Sequence, residues 1–309
     1  MDTQGKVVVI GASGSIGSHI AHRLKEKGYY VIAAGRDTGR IKQKIGDADE
    51  YRNLGNGSTE IEGLIDGTDA VFNFSGAPIF QKWKGNYKSE IYDSRVKLTA
   101  RISEAILNSN NPPKVFINGT ASGIYGYDSF DDREITEEEA PAQDFWGNLV
   151  KDWEDAANRS QSEKTRVVNV RTSVALDSEE GALPQLVKVF RRGLGGPIKP
   201  GNQWFPWIHI DDEVGLAMFC MENGSIKGGV NASSPNVPRM TEFARTLGEV
   251  LHKPSRVNVP KTIIRLMFGE VSELLTNGKK VVPAKAQKSG FEFKFPVLQE
   301  ALENLTSMK

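Results

Sequence analysis

The 309-residue chain is poor in cysteine and histidine and has no net charge: one cysteine, four histidines, and 39 basic residues against 39 acidic ones. A lone cysteine cannot form an internal disulfide. Cys220 lies in the apolar run 215–221, which reads as a buried, inert thiol rather than a nucleophile and suits a reducing compartment. Balanced charge gives no reason to expect nucleic acid or an anionic membrane as the main partner. No apolar run is long enough to span a bilayer. The first apolar stretch begins almost at once, so no leader is expected and the cytoplasm is the expected location. His19, His22, His209 and His252 are scattered. None belongs to a cluster at metal-ligand spacing, so no metal is expected. Internal repeats and low-complexity segments are missing too.

What the chain does have is three glycines at a decisive place. Val7, Val8, Val9 and Ile10 read as a buried parallel strand. Ile16, Ile20 and Leu24 then recur at helical spacing. Gly11, Gly14 and Gly17 fall between the two. A strand-to-helix turn of this kind bends tightly at its first glycine, admits a pyrophosphate at its second and packs helix on strand at its third. The helix N-terminus offers free N–H groups and a positive dipole end. Gly11, Ser13, Gly14, Ser15, Ile16 and Gly17 are therefore candidate cofactor ligands. The next strand, 30–34, ends at Arg36 and Asp37. An acidic residue here holds a ribose 2′-hydroxyl and an arginine favours a 2′-phosphate. Arg36, with Arg40, Lys42 and Lys44 close behind, favours NADP(H) over NAD(H), while Asp37 keeps NAD open.

Strands are expected at 69–74, 114–118 and 166–170, and helices at 89–107 and 144–159, the second with Phe145, Leu149, Trp153 and Ala156 along one side. The strand 69–74 runs into Ser75, Gly76 and Ala77, a small-residue turn that either admits the cofactor or is an ordinary connection. Trp83 follows in a loop, as a substrate contact or a lid. Thr120, Ser122 and Tyr125 lie just past a strand end, where hydroxyls are candidate donors to a carbonyl oxygen. Thr120, and Arg171 at the end of the strand 166–170, are further cofactor candidates. The alternation over 6–176 predicts a parallel, doubly wound α/β sheet, open to one more strand near 203–210. Residues 177–309 read mainly as a smaller substrate lobe, with strands near Val230 and Val257, and Asp211 as the N-cap of a helix beginning at Glu213.

The motifs GASGSIG (11–17), NFSGAP (73–78), DSRVKLT (93–99), TASGIYG (120–126), DFWGNLVKDWEDAA (144–157), GLGGPI (193–198), GNQWFPWIHIDD (201–212), FGEVSELL (268–275), GKKVVP (278–283) and GFEFKFP (290–296) run in order over nearly the whole chain. With them the chain resembles the atypical, extended short-chain dehydrogenase/reductases called "epimerase family protein", a branch of the NAD-dependent epimerase/dehydratase superfamily. The resemblance implies a Rossmann-type domain that binds NADP(H) and a C-terminal α/β lobe that closes over the nicotinamide end. It also implies a small carbonyl or sugar-like substrate. Arg95, Trp83, Trp204 and His209 are candidate substrate contacts, Thr120 and Tyr125 candidate acid/base residues, and a homodimer the candidate assembly. One departure stands out. Active members of the superfamily carry a Tyr-x-x-x-Lys pair on the helix that corresponds to 144–157. Here Phe145 or Trp146 takes the tyrosine place and Leu149 or Val150 the lysine place, with Lys151 off the face. Two functions follow: an NADP(H)-dependent oxidoreductase or epimerase, or an NADP(H)-binding sensor or scaffold with little turnover.

Overall fold

The computed structural model describes residues 3–55, 58–79, 83–127 and 131–307; Phe80, Gln81 and Lys82 of the expected loop and the start of the acidic loop at 128–130 lie outside them. Eleven strands are present among these residues: β1 Lys6–Ile10, β2 Tyr30–Gly35, β3 Glu50–Asn53, β4 Ala70–Asn73, β5 Val115–Ala121, β6 Glu134–Ile135, β7 Arg166–Thr172, β8 Val174–Leu176, β9 Trp207–His209, β10 Gly228–Ala232 and β11 Lys280–Val281. The helices of the first half are α1 Ser15–Glu26, α2 Thr38–Lys44, α3 Ser58–Ile65, α4 Tyr87–Tyr92, α5 Leu98–Asn108 and α6 Phe145–Asn158. Those of the second half are α7 Ala182–Arg191, α8 Ile210–Glu222, α9 Met240–Val250, α10 Lys261–Phe268, α11 Glu273–Thr276, α12 Ala284–Lys288 and α13 Leu298–Ser307.

Seven strands form one parallel sheet in the order β10-β7-β5-β4-β1-β2-β3. The chain leaves β1 toward β2 on one side and later returns to β4 on the other. The switch point therefore lies between β1 and β4, where open α/β sheets bind ligands. Alternation along the strands builds two apolar layers. Val7, Val9, Phe72 and Ile117 face α1 and α8, whereas Val8, Ile10, Val71 and Phe116 face the layer that holds α3 and α5. Both faces are covered, which is why these strands read as unbroken apolar runs. No helix among the described residues is long and apolar enough to cross a membrane.

The structure amends several expectations. The strand near 203–210 exists as β9, but it pairs with β8 in a separate two-stranded ribbon. The seventh strand of the main sheet is β10, so the sheet unit draws on residues well past 176. No strand forms at Val257; only an isolated bridge joins Ile198 to Val259. The helix expected at 89–107 is α4 and α5 joined through a π-helical turn, Asp93–Lys97. Strand β3 and helix α3 escaped the sequence reading. β3 is a four-residue edge strand whose residues are half-buried or exposed, which leaves little apolar signal.

A polar spine crosses the sheet. Asn73, Asn118 and Asn169 stand opposite one another on β4, β5 and β7. Asn73 Nδ2 donates to Asn118 Oδ1, Asn118 Nδ2 to Asn169 Oδ1, and Asn169 Nδ2 to Asn158 Oδ1, each at 3.0 Å. The first three are almost wholly buried, so each amide needs its neighbour. We expect Asn118→Ala to cost roughly 2–4 kcal/mol in urea unfolding, since it opens a cavity and strands the Asn169 carbonyl. An unfolding midpoint equal to wild type would show that the ladder carries no stability.

Candidate functional site

The glycine turn forms a cradle at the carboxyl end of β1. Gly11 adopts φ +84°, a backbone region that favours glycine. A Cβ there would come within 2.7 Å of the Phe74 carbonyl carbon and the Ser75 nitrogen. A Cβ on Gly17 would collide with the Gly11 carbonyl oxygen. Gly14 donates its N–H to Gly11 O at 2.9 Å and is the N-cap of α1, with no side chain capping the helix. Among the described residues the first N–H groups of α1 thus have no acceptor, as a phosphate site requires. Ser13, Ser15 and Ile16 are half-buried around this turn, and the Ser15 hydroxyl donates to Asp177 Oδ2. At the end of β2, Arg36 is exposed. Asp37 is occupied otherwise: its Oδ1 caps α2 by accepting the Arg40 N–H at 3.0 Å.

Across the switch point, Ser75 donates both its N–H and its hydroxyl to Asn73 Oδ1, while Ala77 is buried and donates its N–H to Ser94 Oγ. Gly76 is exposed, and the Arg95 guanidinium carbon lies 2.8 Å from where a Cβ on it would stand. Arg95 is only 8% exposed and reaches across to the ring of Trp153, 5.3 Å from its centroid.

One step nearer the carboxyl edge than the asparagine ladder sits a buried ion pair that the sequence reading missed. Glu154 projects from α6 onto Arg171 of β7, with both guanidinium-to-carboxylate contacts at 2.8 Å. Glu154 Oε1 also accepts the Thr120 hydroxyl at 3.1 Å. Arg171 donates to the Tyr125 hydroxyl at 2.7 Å, and Tyr125 donates to Asn231 Oδ1 at 2.6 Å. Burial pulls the Arg171 pKa down, but Glu154 outweighs it and holds the value above the ordinary one. Burial pushes the Tyr125 pKa up to about 12, against the pull of Arg171. The network therefore claims three residues expected to serve ligands: Arg171, expected at the cofactor, is committed to Glu154 and Tyr125, and Tyr125 and Thr120 spend their protons on internal acceptors. Ser122 differs, with no hydrogen bond to its hydroxyl among the described residues. The signal for Glu154 was present in the sequence: it follows Val150 by one turn and precedes Ala157 by three residues on the face that packs inward.

The inward face of α6 carries Trp146, Leu149, Val150 and Trp153, whereas Phe145 is 40% exposed, contrary to its expected place on the apolar side. Asp144 caps the helix by accepting the Gly147 N–H at 2.7 Å. Trp83 is half-buried in an aromatic group with Tyr87, Phe145 and Trp146, its ring 5.5 Å from that of Trp146, and its indole N–H donates to Ile79 O. Trp83 and Arg95 thus share one cluster beside α6, and Trp204 lies elsewhere. The Arg239 guanidinium stacks 3.7 Å above the Trp204 ring, and the Trp204 indole N–H donates to Asp131 O.

His209 is 1% exposed and caps α8 through Nδ1, which accepts the Asp211 N–H at 3.0 Å; this replaces Asp211 as the expected N-cap. Burial holds its pKa below the ordinary value, so neutral His209 donates from Nε2 to Asn304 Oδ1 at 3.1 Å and stacks on Phe295 at 3.9 Å. It lines a cavity of about 650 Å³ with Ser18, His19, Lys44 and Asp177, which does not include Ser75, Gly76 or Arg36. Next to it, Asp212 accepts the N–H groups of Lys294 and Phe295, tying the GFEFKFP segment to α8. These bonds fix the His209 ring between α8, Asn304 and Phe295 at the edge of that cavity.

The model of the NAD dependent epimerase/dehydratase family matches residues 7–232, and a domain of unknown function, DUF1731, matches 259–305. Epimerase family protein SDR39U1 of Mus musculus is 33% identical over 307 residues, which cover 98% of this chain and all of that protein. The chloroplastic SDR39U1 homolog of Arabidopsis thaliana is 32% identical over 304 residues, 97% of this chain and 86% of its own length. Among solved structures, the human epimerase family protein SDR39U1 (isoform 2) with NADPH superposes with a TM-score of 0.88 at 30% identity, covering 98% of this chain and 99% of that one. UDP-glucuronic acid 4-epimerase from Bacillus cereus, with UDP-glucuronic acid and NAD, shares the fold at a TM-score of 0.76 and 16% identity, over 98% and 100% of the two chains.

Two measurements probe the scaffold of this site. Arg171→Met leaves Glu154 buried and unpaired, and we expect a loss of about 3–5 kcal/mol in urea unfolding, most of it recovered when Glu154→Leu is added. A single variant as stable as wild type would show the pair to be dispensable. Glu213 is the pH probe. It is fully buried, it accepts the Thr172 hydroxyl at 2.7 Å, and burial pushes its pKa up to about 8, with the Thr172 bond pulling the other way. The folded chain therefore keeps a proton that the unfolded chain loses near the ordinary value of 4.5, and stability falls as pH rises from about 4.5 to about 8. His209, held low, contributes the opposite slope near neutrality, so the comparison with Glu213→Gln isolates the carboxyl. We expect Glu213→Gln to melt several degrees above wild type at pH 8.5 and to lose that advantage by pH 5; parallel melting curves across this range would refute the assignment.

Proposed function

Because the chain belongs to the NAD dependent epimerase/dehydratase family, we propose that it binds NADP(H) at the switch point and acts as an NADP(H)-dependent oxidoreductase or epimerase on a small carbonyl or sugar-like substrate. The observation that carries this reading is the pairing of an uncapped α1 over a glycine cradle with an exposed Arg36 beside an Asp37 already spent as a helix cap. The cradle fits a pyrophosphate, because Gly11 and Gly17 let β1, β4 and α1 meet backbone to backbone while Gly14 leaves the N-terminus of α1 without a side chain over it. Arg36 meets the 2′-phosphate, and Asp37 has less freedom to select a 2′-hydroxyl. The human relative crystallised with NADPH supports the same choice.

The cofactor, when bound, supplies hydride chemistry at its nicotinamide. The chain supplies position and a hydrogen bond. Thr120 donates to Glu154 and Tyr125 to Asn231, so neither holds a spare proton in this arrangement. Ser122 is the hydroxyl at the end of β5 left to bind a substrate oxygen. A second reading, a sensor or scaffold with little turnover, rests on α6. Its buried inward face is apolar apart from Glu154, both of whose carboxylate oxygens accept from Arg171, and no tyrosine stands where the superfamily places its own. A lost acid/base typically lowers rates by about 10²–10⁴.

The test is a titration with NADPH and NADH, followed by stopped-flow oxidation of bound NADPH against a panel of carbonyls and quinones. We expect NADPH to bind more tightly than NADH. Arg36→Glu should weaken NADPH by roughly 10–100-fold, the worth of one charge-assisted phosphate contact, and leave NADH within a few-fold. Equal losses for both would remove the 2′-phosphate assignment. Substrate-dependent oxidation would establish turnover, and tight binding with no oxidation across the panel would favour the sensor.

A further inference from the structure

Arg95 is a buried cation that meets no carboxylate among the described residues. It sits in the π-helical turn Asp93–Lys97, where one wider turn between α4 and α5 directs both Arg95 and Val96 inward. Such turns recur at functional sites. The nearest acid in sequence, Asp93, spends its charge outward on Lys97 at 2.8 Å, and Asp152 on the adjoining helix accepts the Tyr92 hydroxyl. Among the described residues no carboxylate pairs with Arg95. Its NH2 donates to Ala77 O at 3.0 Å, while NH1 has only two contacts at the 3.5 Å limit, to Ile91 O and Ser94 Oγ. Burial lowers its pKa to about 10, which leaves it charged at neutral pH.

A buried guanidinium with one well-formed hydrogen bond, two at the distance limit and no carboxylate among the described residues is costly until an anion completes it. The geometry shows where that ligand would lie. The guanidinium packs against the exposed Gly76 at the carboxyl end of β4, with Trp153 of α6 on its other side. Trp83, Trp146 and Tyr87 belong to the same apolar cluster. This cluster lies beside α6, at the same carboxyl edge of the sheet that holds the glycine cradle.

We propose that Arg95 is the anion-binding residue of the substrate site, and that the substrate is a small carbonyl compound carrying a carboxylate or a phosphate. The proposal rests on the cofactor reading given above. An anionic oxygen against Arg95 has two sources, the substrate or the diphosphate of the cofactor, and the experiment separates them.

The experiment uses the full chain saturated with NADPH, with malonate and inorganic phosphate as probes and the melting temperature as readout. We expect at least one probe to raise the melting temperature of the wild-type complex saturably. Arg95→Met should abolish that response while binding NADPH within about threefold of wild type. Arg95→Lys, which keeps the charge but not the fork, should respond with roughly tenfold weaker affinity. Ligand-free Arg95→Met should melt no lower than wild type, because it sheds an unpaired buried charge. Four outcomes would overturn the proposal: no response to either probe in wild type, the same response in Arg95→Met, a tenfold or greater loss of NADPH affinity in Arg95→Met, which would assign the guanidinium to the cofactor, or a clear fall in the melting temperature of both ligand-free variants, which would make it a structural post. If wild type fails to bind NADPH, the cofactor reading falls by itself, and the probe response of the ligand-free protein still tests Arg95.

Discussion

Backbone meets backbone where β1 ends, and the site is built outward from that contact. Gly17 of α1 lies against the Gly11 carbonyl, and Gly11 lies against Phe74 and Ser75 at the end of β4. The Phe74 ring in turn fills the space that a side chain on Gly119 of β5 would need. Three neighbouring strands are thereby locked at one height, and the uncapped end of α1 is aimed across them. A single methyl group at Gly11 or Gly17 would part these elements, so the proposed phosphate site and the packing of the sheet edge are one constraint.

Behind that edge the sheet is held by polar groups arranged in two tiers. The lower tier is the amide ladder of Asn73, Asn118 and Asn169; the upper runs from Thr120 through Glu154 and Arg171 to Tyr125 and Asn231. In a low-dielectric interior such chains are stable only when each member is satisfied, which ties the positions of β5, β7, β10 and α6 to one another. This tier also accounts for the face where the superfamily keeps its tyrosine and lysine. In this chain the inward side of α6 is tryptophan, aliphatic carbon and one ion-paired glutamate. The helix is a wall that fixes Thr120 through Glu154 and packs Trp153 against Arg95.

The parallel sheet, its glycine turn and the positions of α1, α5 and α6 were legible in the chain, because apolar runs of strand length alternate there with helical periodicity, and Gly11, Gly14 and Gly17 stand at the junction. The edge strand β3 was not, since its residues are largely exposed. The membership of β9 and β10 was not, since a three-residue and a five-residue strand look alike until the chain has folded back. Candidate site residues divided the same way. The glycines and Arg36 depend on local backbone and on a strand end. Arg171, Tyr125 and His209 depend on partners 17, 106 and 95 residues away.

What the sequence by itself determined, then, is the half of the protein on which the proposed cofactor site stands: a strand, a glycine turn and a helix contiguous in the chain, whose shape follows from backbone geometry over seven residues, 11–17. What only the tertiary structure decided is which charged and hydroxyl groups remain free. The Arg171 and Arg95 guanidinium groups both lie beside α6, the first at the end of β7 and the second, carried by a helical turn, near the end of β4. One meets Glu154 and is neutralised, whereas the other meets Trp153 and Gly76 and is not. That difference is set by side chains from separate elements meeting in a buried space, where the presence or absence of one carboxylate decides whether a cation is a strut or a binding group.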